Sequence, residues 1–61
     1  MGISENFKII EELQKIAKVD WNKADSIFEG FKRGASLVQM QNFYLAKTPK
    51  QKALLIKKYW L

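Results

Sequence analysis

Few kinds of side chain in this 61-residue chain could do chemistry: six carboxylates, eleven bases of which ten are lysine, three serines, one threonine and two tyrosines. There is no histidine and no cysteine. That removes the commonest general base, the commonest zinc ligand and every thiolate nucleophile or disulfide. The adjacent carboxylates Glu11 and Glu12 stand among Lys8, Lys15 and Lys18, which reads as a solvated helix face, not as an acid–base pair. With no histidine in the chain, Ser4, Ser26, Ser36 and Thr48 have no general base to activate them, and all but Ser26 sit where a helix begins. No glycine-rich phosphate loop is present. The expectation is a non-enzyme with no cofactor, no metal and no small-molecule substrate.

The lysines carry more information, because they are unevenly placed. Residues 1–33 hold six bases and all six acids. Residues 34–61 hold Lys47, Lys50, Lys52, Lys57 and Lys58 and no acid, so the whole net charge of +5 lies there. Lys47, Lys57 and Lys58 fall near helix C-termini, where cations complement the dipole. Lys50 and Lys52 fall in a first helical turn, where they oppose it by a few tenths of a kcal/mol each. A local choice against the field and without visible compensation is where function is worth seeking. Lys47, Lys50, Gln51, Lys52, Lys57 and Lys58 therefore make a candidate nucleic-acid-binding set, with lysines acting as point charges on phosphate and offering little bidentate base readout. The alternative occupant is an acidic protein surface held by the same lysines around two apolar anchors, Leu54 and Leu61, in the manner of an adaptor, inhibitor or anti-repressor. A membrane-surface reading is set aside, since the apolar side of this last helix is needed by so small a core.

Four segments must position these residues. Ser4 and Glu5 read as a helix start, followed by Phe7, Ile9, Ile10, Leu13, Ile16 and Ala17 on one face as far as about Val19. Asp20 reads as the next N-cap, and Trp21, Ala24, Ile27, Phe28 and Phe31 fall within an arc of about 120°. Lys32 and Arg33 close that helix and Gly34 is placed for a left-handed stop. Gly30 inside it costs about 1 kcal/mol relative to alanine unless another element packs closely there. Ser36 and Gln39 form a capping box, and Thr48-Pro49-Lys50-Gln51 forms a second one that starts the last helix.

The first box lies within the chain's longest uncharged stretch, Gly34 to Ala46. Its apolar residues project almost all round a helix, which predicts a buried central helix. The first two helices also invite a helix-turn-helix reading. The turn is short for it, the expected glycine is missing, and Asp25 and Glu29 would face phosphates.

The chain is thus expected to be one all-α domain over residues 1–61. It would be a compact bundle of three to four short helices around a central apolar helix at about 36–47. The expected core is Phe7, Ile10, Leu13, Ile16, Trp21, Ile27, Phe28, Phe31, Leu37, Met40, Phe43, Tyr44, Leu45, Ile56 and Trp60. Apolar surface in excess of what such a chain can cover predicts a homodimer through the central or the last helix. The expected function is a small nucleic-acid-binding regulator using the basic C-terminal half. The alternative is a protein-interaction module docking through the last helix. The expected setting is cytoplasmic, with no membrane partner.

Overall fold

Residues 5–60 are described by the structure, a computed structural model, and they form four α-helices joined by short turns. The first, α1, runs Glu5–Ala17 and buries Ile9, Ile10 and Leu13 at helical spacing. The Ser4 cap lies outside the described residues. α1 ends at Lys18, which takes the left-handed conformation with φ 57, while the Val19 N–H donates to the Gln14 carbonyl at 3.3 Å. That six-to-one bond is the Schellman closure, here made with a lysine in the position glycine usually holds. The stop predicted at Gly34 does not occur. Gly34 is the last helical residue of α2, Trp21–Gly34, and Ala35 caps the helix in an extended conformation with φ −69.

Local signals set the other helix starts. Asp20 accepts from the Lys23 N–H at 2.8 Å and opens α2, whose buried side is Ala24, Ile27, Phe28 and Phe31, the predicted arc. Ser36 and Gln39 exchange both capping bonds, at 3.2 and 3.0 Å, and open α3, Leu37–Leu45. The Gln51 N–H donates to Thr48 Oγ1 at 3.1 Å at the start of α4, Pro49–Trp60. The return bond of this second box goes one residue further back, from the Lys47 N–H to Gln51 Oε1.

Packing corrects the predicted architecture. The helix that packs on all the others is α4, which lies along α1 and touches both α2 and α3. Its inward side, Lys52, Ala53 and Ile56, is buried together with Ile9, Ile10, Leu13, Ala24, Ile27, Phe28, Phe31 and Phe43. The apolar segment expected at the centre is peripheral. α3 packs chiefly on α4 and buries only Phe43, while Leu37, Val38, Tyr44 and Leu45 are 78%, 64%, 69% and 76% exposed. Phe7 and Trp60, also expected in the core, lie at its rim. Phe7 packs against Trp21 with ring centroids 4.7 Å apart and planes tilted by 44°. The Trp60 indole lies over α2, where a Cβ on Gly30 would stand 2.9 Å from its Nε1 and one on Gly34 2.5 Å from its Cη2. Two glycines four apart thus form the slot that seats the end of α4, which explains a helix-interior glycine of low propensity.

Lys18 supplies the first prediction. A β-carbon in the left-handed region costs about 1–2 kcal/mol, part of which glycine returns through its looser unfolded state. Lys18→Gly is expected to stabilise the fold by about 0.5–1 kcal/mol, read as a rise in the urea midpoint with an unchanged slope.

Candidate functional site

α3 meets α4 end to start, and this junction builds the surface of interest. The last carbonyls of a helix have no intrahelical partner and carry its negative pole. In α3 the Phe43 carbonyl accepts from the Ala46 N–H at 3.3 Å and from Lys52 Nζ at 3.0 Å. The Lys52 ammonium also lies 4.8 Å from the Phe43 ring centroid and 5.8 Å from that of Tyr44. Lys52 is 5% exposed. The cation that looked misplaced at the start of α4 therefore serves the end of α3, and its stem fills the seam between the two helices. It is not on offer to phosphate, and the nucleic-acid set read from the sequence loses that member.

The other members remain outside. Lys47, Lys50, Lys57 and Lys58 are exposed. Gln51 is exposed too, but its side-chain oxygen is occupied by the Lys47 N–H. On α4 the positions 50, 54, 57 and 58 fall within about 100° of one another around the helix, so Leu54 sits on a ridge between lysines. Leu54 is 46% exposed. Leu61, its predicted companion, lies outside the described residues.

The sequence reading missed what lies on the other side of Leu54. On α3 the positions 37, 38, 41, 44 and 45 span an arc of about 120°, while 39, 40, 43 and 46 turn toward α4. The helix is therefore apolar on two opposite sides, one covered and one not. Leu45 and Ala46 of α3 and Leu54, Leu55 and Tyr59 of α4 line an open cleft of about 510 Å³ between the helices. A second hollow, lined by Gln41, Asn42, Tyr44 and Leu45, adjoins it along α3. Across the cleft Asn42 Nδ2 donates to the Tyr59 hydroxyl at 3.0 Å, a side-chain bond that ties α3 to α4 from outside the core. The signal for this surface was present in the sequence as the run Leu37, Val38, Gln41, Tyr44, Leu45 at helical spacing.

The exposed side of α2 carries Asn22, Lys23, Ser26 and Arg33, with Glu29 bound to Lys32 at 3.2 Å. Mixed charge of that kind makes a solvated face, worth little in stability or phosphate affinity. Among the described residues no group of three or more His, Cys, Asp or Glu side chains could hold a metal ion, and no helix is long and apolar enough to cross a membrane. No known protein family, no curated protein and no solved structure matches this chain.

The contrast between two lysines two residues apart is testable. Lys52→Met keeps the stem but takes the charged donor from the Phe43 carbonyl, leaving it only the 3.3 Å bond from the Ala46 N–H, and is expected to cost about 1.5–3 kcal/mol, the range for a hydrogen bond to a charged group. Lys50→Met, on the exposed ridge, is expected to change stability by less than about 0.5 kcal/mol. Equal urea midpoints for the two variants would remove Lys52 from its assigned place.

Proposed function

We propose that this chain is a non-catalytic protein-interaction module that docks on a larger protein through the joined surface of α3 and α4. The observation that carries the reading is the uncovered side of α3. Four large apolar side chains, each more than three-fifths exposed, stand in a row on a domain too small to leave apolar area unused without consequence. Tyr44 and Tyr59 suit such an interface, since a tyrosine offers a rigid apolar face with one polar end. Leu54 and the cleft beside it extend the row onto α4, the helix expected from the sequence to present the contact.

Nucleic-acid binding draws less support. A phosphate backbone asks for cations, whereas the centre of this surface is uncharged and greasy, with the lysines along one margin. With Lys52 withdrawn, four cations of the set remain exposed.

Duplex-DNA anisotropy at several salt concentrations separates the readings. A nucleic-acid binder using four lysines would show log K falling with log salt at a slope of about −3.6 and measurable affinity at physiological ionic strength. The expected result is weak attachment at low salt only, unaffected by Leu45→Ser. In parallel, a partner captured from the native host by the wild-type chain should be lost on Leu45→Glu and on Leu54→Glu. Both variants should retain the wild-type unfolding midpoint. Duplex binding that survives physiological salt would sink the docking reading.

A further inference from the structure

Resting on the docking reading, we infer that the occupant of the α3–α4 surface is an amphipathic helix of a partner protein, with carboxylates along one flank of its apolar stripe. The form of the occupant follows from what the surface lacks. No strand occurs among the described residues, so no sheet edge is present for an extended peptide to join by main-chain bonds. Recognition must be by side chains. The arc formed by positions 37, 38, 41, 44 and 45, two turns long and about 120° wide, is the seam one helix presents to another.

Its chemistry follows from the rim. The stripe on α3 is uncharged; exposed Lys47 stands in the turn that follows it, and on α4 Lys50, Lys57 and Lys58 surround Leu54 at spacings of four, three and four residues. Lys58 also lines the cleft itself. The Tyr59 hydroxyl accepts from Asn42 and so keeps its own proton to donate across the same rim. Cations and hydroxyl alike are donors, and no carboxylate follows Glu29 in the chain to answer them. A complementary helix lays apolar side chains on Leu45, Tyr44 and the cleft, and sets glutamates or aspartates toward the lysine ridge of α4. Acids on both flanks have no counterpart on the α3 side.

A second copy of this chain is the competing occupant. Its α3 stripe is near-symmetric about Gln41, so two such helices could lie antiparallel with Leu37 and Val38 against Tyr44 and Leu45. Each copy, however, brings a net charge of +5 and a residue 34–61 segment with five lysines and no acid. Self-pairing leaves the lysine rim unanswered and sets two cationic molecules against each other, which like charges oppose. Charge complementarity selects the acidic helix.

The test uses the full chain and three synthetic probes in buffer of about physiological ionic strength. One is a peptide of about eighteen residues with leucines at helical spacing and glutamates on one flank. The second carries lysines in place of those glutamates, and the third is polyglutamate. The glutamate peptide should bind saturably with Kd on the order of 10–100 μM. Leu45→Ser and Lys58→Glu should each weaken it about tenfold or more, and neither the lysine peptide nor polyglutamate should bind measurably. No binding of the glutamate peptide overturns the inference. Equal binding of the lysine peptide overturns the acidic flank and leaves docking standing. Sedimentation at about 100 μM showing a dimer that Leu45→Ser dissociates would assign the surface to a second copy. Displacement of the glutamate peptide by duplex DNA at the same salt would instead overturn the docking reading beneath it.

Discussion

Of four helices of 13, 14, 9 and 12 residues, one packs on the other three, and the rest of this fold follows from which one that is. A chain of this size hides a modest share of its surface whatever its arrangement. α4 takes that place because its inward positions match what closeness demands. Ala53 is fully buried, as is Ala24 on α2, and small side chains at such positions let helix axes approach. Ile56 and the larger side chains of α1 and α2 then fill the space around them. α1 and α2 take most of the inward side of α4, and α3 is left the region around Lys52. A nine-residue helix that packs chiefly on α4 and reaches α2 through Phe43 alone leaves its other side in water.

Lys52 shows how that peripheral helix is held. α3 contributes a single buried side chain, Phe43, which meets Phe31 with ring centroids 5.2 Å apart. One anchor leaves a short helix free to swivel about it. The ammonium of Lys52 on the carbonyl of that same residue, and the bond from Asn42 to Tyr59 on the outer side, add two directional constraints across the α3–α4 seam. A buried cation is costly unless it meets good acceptors. Here it meets the negative end of a helix and an aromatic face together, so one residue both fills the seam and fixes the angle. The angle matters beyond stability, because it decides which residues of α3 look outward.

Much of the local structure was legible in the sequence and much of the arrangement was not, for one reason. Asp20, Ser36 and Thr48 cap their helices through bonds spanning three residues, and information of that range is contained in the sequence itself. The amphipathic arc of α2 was equally plain, since charge marks its far side. For α3 the sequence offered apolar residues nearly all round, and composition alone cannot say which side another helix covers. Reading the whole circumference as buried was reasonable for a helix and wrong for this bundle, where the helix that packs on the other three is α4. Lys52 was read from its place in the dipole of its own helix, while its partner is nine residues back on another. Gly30 and Gly34 looked like a cost and a stop, yet both make room for an indole thirty and twenty-six residues away.

The lysines around Leu54 could serve solubility alone, keeping a domain with uncovered apolar area from associating. Their placement weighs against that as a full account. A charge is most effective against self-association when it stands within the apolar patch it protects, and exposed position 41, in the middle of the stripe, would accept a lysine at no cost to the core. It holds Gln41, a neutral group that two packed helices can accommodate. The charges stand instead along one margin, on the helix that gives Ala53 and Ile56 to the core. Fixed cations beside an uncharged seam raise the rate at which an oppositely charged helix arrives and set the direction in which it lies. A surface arranged only to repel would have no need of direction.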